Sequence, residues 1–267
     1  MDTKKLARNI REDCLIATNM AKSSHVGSML SIADVVAVLY GEVLRRNKKG
    51  PDVFYDKFIL SKGHAGCAVF SALAELGIIN KKELLETYYQ NGSLFSGHVS
   101  SHGISGIELS TGSLGQGVCV ANGLALARKM DKSDSRVFTI VGDGELNEGS
   151  VWEAVMFAVS QKLDNLAIIV DKNNFQLMGK TKDISPAENL KERFCAFGCE
   201  VVIIDGHNHS EIKRALTMAH PNKPLVIVAN TIKGKGVSFM ENNNTYHAKP
   251  VSDELLAQAL KEVMEAK

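Results

Sequence analysis

The sequence predicts an α/β protein, built as a mostly parallel sheet with helices on both faces. Three observations carry that reading. Short apolar runs rich in β-branched residues recur at 58–60, 137–141, 166–170, 201–204 and 225–229. Stretches with apolar residues at helical spacing separate them. Glycine-containing polar segments follow the ends of several runs. Strands that are apolar on both sides belong in a parallel sheet covered above and below, and such sheets bind ligands beyond the carboxyl ends of their strands.

Taken in order, the elements support this. Leu6, Ile10, Cys14, Ala17 and Ala21 recur at helical spacing and predict a first helix over 6–21. Ser31, with Asp34 following, is a candidate cap for a second helix running to about Leu44. The run 58–60 then enters Ser61-Lys62-Gly63-His64 and a helix of small residues that ends near Gly77. From Asn91 to Gly117 seven glycines alternate with polar residues, and a loop of that length inside a compact domain points to function. Strand, helix, strand follows at 137–141, 150–162 and 166–170, and again at 201–204, 210–219 and 225–229. An amphipathic helix over 252–264 closes the pattern, as an interface or a cap. No repeat or linker divides the chain, so residues 1–267 are expected to form one domain.

Composition narrows the class. Of 267 residues 45% are hydrophobic and 23% charged, and the formal net charge is +1 with 31 scattered basic residues. That gives no electrostatic reason to expect nucleic acid or a membrane surface as partner. No apolar run approaches the ~18–20 residues of a bilayer span, and the amino terminus has no apolar signal core. Five cysteines without a Cys-x-x-Cys pair suggest free thiols in the cytoplasm.

The most specific segment is Gly142-Asp143-Gly144-Glu145, which follows a predicted strand and precedes a helix. Glycines beside Asp143 permit a sharp turn and close approach to a ligand, and unpaired N–H groups at the start of the helix suit a phosphate. Alone, Gly-Asp-Gly reads equally well as a tight turn. One strand–helix–strand unit later comes Asp171-Lys172-Asn173-Asn174. Asp143 offers a hard anionic oxygen and Asn173 a neutral one, a donor set that Mg²⁺ commonly completes with phosphate and water. The pair resembles the thiamine diphosphate signature, Gly-Asp-Gly followed after roughly thirty residues by Asn-Asn. By that resemblance Asp143, Asn173 and the Phe175 carbonyl hold the metal, Mg²⁺ with Ca²⁺ or Mn²⁺ as substitutes.

Three of the eight histidines fall beside glycine or serine, in Ser24-His25-Val26-Gly27, Ser61-Lys62-Gly63-His64 and Ser96-Gly97-His98, and a fourth comes late in Tyr246-His247. Each alone is more readily a structural residue. With Glu108-Leu109-Ser110-Thr111-Gly112-Ser113-Leu114-Gly115-Gln116-Gly117 and Lys233-Gly234-Lys235-Gly236, the set closely resembles transketolase, in order from about residue 10 to 250. Transketolase moves a two-carbon ketol unit from a ketose to an aldose, and imidazole titrates where the hydroxyl protons must move, without large tuning.

The resemblance implies the thiamine-diphosphate-binding fold and a set of roles. His25 and His247 flank the reacting carbonyl as catalytic groups, and His98 binds donor hydroxyls. His64, Gly112, Ser113, Leu114, Gly144, Glu145, Asn173 and His247 line the cofactor, with the Gly144 N–H on its diphosphate. Glu148, which shares the following helix with Glu153, lies at a subunit interface. Two departures stand out: Ala248-Lys249-Pro250 follows His247 where the family usually has glycine, and Met178 stands where an acidic residue is common.

Single-chain transketolases are more than twice as long, and the part that binds the aminopyrimidine ring and supplies an activating glutamate has no counterpart here. It is therefore expected on a companion C-terminal subunit, in a heterotetramer of two copies of each chain acting on sugar phosphates. The rivals are another two-chain thiamine enzyme, either a 2-oxo-acid dehydrogenase α subunit or a relative acting on an unusual sugar, and a non-catalytic binding subunit. The serine- and glycine-flanked histidines favour sugar chemistry.

Overall fold

The computed structural model describes residues 1–47, 52–185 and 189–265. The elements in chain order are α1 (Thr3–Met20), α2 (Val26–Val38), β1 (Lys57–Leu60), α3 (Gly66–Glu75), α4 (Lys81–Thr87), α5 (Gln116–Met130), β2 (Val137–Gly142), α6 (Gly149–Ser160) and β3 (Leu166–Lys172). A small hairpin, β4 (Phe175–Gln176) and β5 (Gly179–Lys180), follows. Then come α7 (Thr181–Ile184), α8 (Leu190–Phe197), β6 (Glu200–Asp205), α9 (His209–Leu216), β7 (Leu225–Asn230), α10 (Thr245–Ala248) and α11 (Asp253–Glu265).

Five strands form one sheet in the order β1-β2-β3-β7-β6, every neighbouring pair parallel. Strand alternation sorts the core into two layers. Phe138, Ile140, Ala167, Ile169, Leu225 and Ile227 face a layer with α1, α2, α3, α9 and α11. Val137, Val141, Ile168, Val170, Val226 and Val228 face the other, with α5, α6 and α8. The α/β sheet covered on both faces is the architecture the apolar runs predict.

Local chemistry explains the boundaries. Asp2 caps α1 by accepting the Lys5 N–H at 3.1 Å. After α3, Gly77 takes φ +69° and the Gly77 and Ile78 N–H groups close on Ala74 and Leu73, the predicted glycine stop. The second helix differs from expectation. It begins at Val26, so Ser31 and Asp34 lie inside it, and it continues through a π-type turn at Leu39–Val43. Both polar side chains are buried and satisfied by long-range partners, Ser31 donating to Asp171 at 2.8 Å and Asp34 paired with Arg11. Pattern reading took them for caps because only tertiary partners make them acceptable inside a helix.

Val26–Val43 is also, among the described residues, the one helical stretch as long and apolar as a membrane crossing requires, which the count of apolar runs missed. It is 83% buried inside the protein, as a core helix is.

Candidate active site

The carboxyl ends of β1, β2 and β3 open on one cavity of about 330 Å³, within the range of small-molecule sites. β1 delivers Lys62 and His64, β2 delivers Asp143, and β3 delivers Asn173. The remaining histidines arrive differently: His25 precedes α2, His98 lies in the long loop before α5, and His247 lies on α10. Of the predicted residues, only Ser113 does not line the cavity. It is exposed between Gly112 and Leu114, which do. Gly117 lets α5 approach β1, because a Cβ there would fall 2.6 Å from the Ser61 Cα.

Four imidazoles gather at one end. Ring centroids lie 5.2 Å apart for His25–His64 and for His25–His247, 5.6 Å for His25–His98 and 5.7 Å for His64–His247. His25 takes a left-handed backbone, φ +74°, and its N–H donates to the His247 carbonyl at 2.9 Å. This strained turn ties the late loop to the head of α2. Lys233 donates to Asn244 Oδ1 and to His247 Nδ1, each at 2.8 Å, so a neutral His247 carries its proton on Nε2 and presents it away from Lys233. The expected glycine after His247 is not needed: 245–248 closes as one helical turn, which Ala248 fits.

The residue types alone suggest titration near neutrality, but His25, His64 and His247 are shifted below it. Burial, then the charges of His98, Lys233 and Lys62, lower His25 to about 4. Burial, then Lys233, His25 and Lys62, lower His247 to about 3. His64 also falls well below the usual imidazole range, by burial and then Lys62. Burial, then Lys62, pushes Lys233 down to about 8. At neutral pH these three rings are uncharged, each able to give one proton and accept another.

The other end is built for a cation and an anion. Asp143 is buried, and burial followed by the Asp171 charge raises its carboxyl to about 7. It accepts the Asn174 N–H at 2.6 Å and the Gly144 N–H at 2.9 Å. Asn173 gives its amide N–H to Asp171 at 2.8 Å and accepts the Phe175 N–H at 3.0 Å, leaving capacity on Oδ1. Among the described residues no cluster of three or more His, Cys, Asp or Glu exists to hold a metal alone. One destabilised carboxylate with neutral oxygens fits a hard divalent ion completed by ligand phosphate, so the donor set fits the group.

Two predictions change in detail. Gly144 opens a 3₁₀ turn, Gly144–Asn147, before α6 starts at Gly149, so the turn and not the helix end abuts Asp143. The Glu145 carboxylate is taken up by Ser61 Oγ (2.5 Å), Gly115 N–H (2.8 Å) and Gly142 N–H (3.0 Å), so within the cavity wall it splices the β1, β2 and α5 segments. Met178, 85% exposed, sits in the β4–β5 turn. Glu148 lies exposed at the cavity rim.

Sequence reading assigned no role to Lys62 or Asp171. Lys62 Nζ pairs with Asp171 Oδ2 at 2.5 Å, both side chains 1% exposed. Ser31, Thr231 and Asn173 also donate to Asp171. The signal was present, since Lys62 lies inside the Ser-Lys-Gly-His segment and Asp171 opens Asp-Lys-Asn-Asn.

The sequence matches the transketolase thiamine diphosphate binding domain over residues 2–264. The chain belongs to the transketolase family. It is 40% identical to the 6-deoxy-6-sulfo-D-fructose transketolase subunit SqwG of Clostridium sp. (strain MSTE9), covering 98% of this chain and 96% of that protein. It is also 40% identical to a subunit of the apulose-4-phosphate transketolase of Actinobacillus succinogenes, covering 95% and 93%. The crystal structure of Campylobacter jejuni transketolase superposes with a TM-score of 0.91 at 33% identity, over 98% of this chain but 42% of that one. The family member thus spans under half the length of the single-chain transketolases it matches.

Proposed function

We propose that this chain is the diphosphate-binding subunit of a two-chain transketolase, which transfers a two-carbon ketol unit from a ketose to an aldose. The observation that carries this is four imidazoles at one end of a cavity whose other end holds Asp143 and Asn173. Thiamine diphosphate, when bound, supplies the electron sink for breaking and forming the carbon–carbon bond. Asp143, Asn173 and the Phe175 carbonyl would hold Mg²⁺. His64, Gly112, Ser113, Leu114, Gly144 and His247 would line the cofactor, and Glu145 keeps Gly115 and Gly142 in place around it.

The chain's own groups would handle the protons. His25 and His247, neutral and adjacent, exchange a proton with the hydroxyl and carbonyl oxygens of the sugar. His98 binds donor hydroxyls. Burial depresses these rings most, and an anionic ligand would offset the smaller contribution of Lys233 and Lys62.

A companion subunit bringing the pyrimidine-binding part is supported by the two relatives named as transketolase subunits, each matched over nearly its whole length. We assign the assembly two copies of each chain, with Glu148 at an interface, and place it in the cytoplasm, where five free cysteines are stable. The relatives' names support a ketose with an anionic terminus, either a pentose phosphate or a less common sugar.

The test is ketol transfer to ribose 5-phosphate with thiamine diphosphate and Mg²⁺, by this chain alone and mixed with its candidate partner. Donors would be xylulose 5-phosphate, apulose 4-phosphate and 6-deoxy-6-sulfofructose. Activity only in the mixture is expected, and full activity of the chain alone would refute the two-chain reading. Inactivity of a cofactor-loaded complex on every donor would refute the sugar assignment.

A further inference from the structure

A second cavity, of about 230 Å³, shares no lining residue with the first. Lys4, Arg8 and Arg11 of α1 line it with Asp34 of α2, His207 and His209 at the head of α9, and Lys235. Among the described residues its one lining carboxylate, Asp34, is already saturated. It accepts Arg11 Nη1 (3.2 Å) and Nη2 (2.5 Å), His207 Nδ1 (2.7 Å) and His209 Nε2 (3.0 Å). Burial alone would raise this carboxyl, but hydrogen bonds from His207 and His209 and the Arg11 charge hold it well below its usual range. Arg11 Nε donates to the Lys235 carbonyl at 3.1 Å. His207 Nε2 accepts the Ile232 N–H at 2.9 Å, so its proton sits on Nδ1 and the ring is neutral.

Arg11 and Asp34 therefore neutralise each other and form a fixed wall. Lys235 is partly compensated by Glu241 at 3.3 Å. Lys4 and Arg8 are in no ion pair among the described residues, and the Arg8 Nε is buried without a hydrogen-bond partner. Lys4 and Arg8 thus bring positive charge to the cavity that no carboxylate among the described residues of its wall offsets, and an entering anion would compensate it. Guanidinium and ammonium groups converging on one small space carry surplus positive charge that a phosphate dianion offsets more fully than a singly charged carboxylate.

We propose that this cavity is a second anion site, binding a phosphate dianion, free or as a small phosphomonoester, through Arg8, Lys4 and Lys235. The terminal guanidinium nitrogens of Arg8 donate to the oxygens, the two ammonium groups neutralise the charge, and the Asp34–His207–His209 wall sets the depth. The site is independent of the catalytic assignment, because no residue is shared between the cavities.

The test uses the full chain saturated with thiamine diphosphate and Mg²⁺, so that phosphate cannot report the first cavity. Inorganic phosphate and, separately, glycerol 3-phosphate, a phosphomonoester that is neither ketose nor aldose, are titrated at constant ionic strength, followed by calorimetry and by the ring resonances of His207 and His209. Saturable binding with movement of those resonances is expected, weakened at least about tenfold in Arg8→Gln and in Lys4→Gln. Lys82→Gln, an exposed control on α4, should leave binding unchanged. Tighter binding of glycerol 3-phosphate would make a phosphomonoester the ligand, and tighter binding of inorganic phosphate the free ion. Absence of saturable binding, or equal affinity in folded Arg8→Gln and Lys4→Gln, would overturn the proposal.

Discussion

Replacing Lys62 by Met should destabilise the chain far more than its absence from the obvious catalytic set suggests. Lys62 and Asp171 are each 1% exposed and 2.5 Å apart, and Lys62 Nζ also donates to the Ser28 carbonyl at 3.2 Å. Burial raises the Asp171 carboxyl, but Lys62 and the hydroxyls of Thr231 and Ser31 more than offset this and hold it below its usual range. Removing the ammonium leaves a carboxylate stranded in the sheet's carboxyl end, which costs about 3–5 kcal/mol. Unfolding entropy of about 2.1 cal/mol/K per residue gives about 0.56 kcal/mol/K over this chain, so Tm should fall by about 5–9 °C. Because Asn173 is anchored on Asp171, cofactor-dependent stabilisation should shrink as well. Differential scanning calorimetry of Lys62→Met, Asp171→Asn and the double variant forms the cycle. Since Asn carries no charge to strand, the double variant should recover more than half of the loss. A Lys62→Met Tm within about 2 °C of wild type, or a double variant as unstable as the sum of the singles, would refute the reasoning.

Other expectations follow from the same geometry. Asp143→Ala removes the one carboxylate of the proposed metal set, so Mg²⁺-dependent binding of thiamine diphosphate should weaken on the order of 100-fold by calorimetry, while Tm without cofactor should not fall. His247→Ala should lower kcat of the reconstituted enzyme by about 10²–10⁴-fold with the fold intact by circular dichroism; a change confined to KM would contradict a proton-transfer role. His220 lies outside both cavities, and burial lowers its pKa, so the ring is neutral when folded and takes up a proton when unfolded below about 6.5. Its contribution is therefore complete above that pH and is lost as pH falls toward the lowered folded value, at up to about 1.4 kcal/mol per pH unit. The stability difference between wild type and His220→Asn in urea should narrow between pH 7.5 and 5.5, and a constant difference would exclude this coupling.

The sequence by itself determined the α/β sheet and the register of its chemistry along the chain. Runs such as 166–170 are apolar at every position, and only burial on both faces explains that. Asp143 and Asn173 could be paired because each follows a strand, and parallel neighbours deliver their carboxyl ends to one edge. The histidines were legible through the family pattern of their flanking glycines and serines, since periodicity says nothing about His25 or His98, which come from a helix start and a loop.

Tertiary structure alone decided which polar groups inside helices and turns are tolerable. Ser31 and Asp34 resemble caps in sequence, yet they lie mid-helix because Asp171, Arg11, His207 and His209 reach them from distant segments. Glu145 sits in the most specific motif of the chain, but its carboxylate faces Ser61, Gly115 and Gly142. The ionisation of His25 and His247 was equally out of reach of sequence. It depends on burial and on two ammonium groups brought there by β1 and by the segment after β7. Side-chain type and spacing set what a residue can do; the dielectric and charge around it, fixed only by packing, set the protonation state in which it does it.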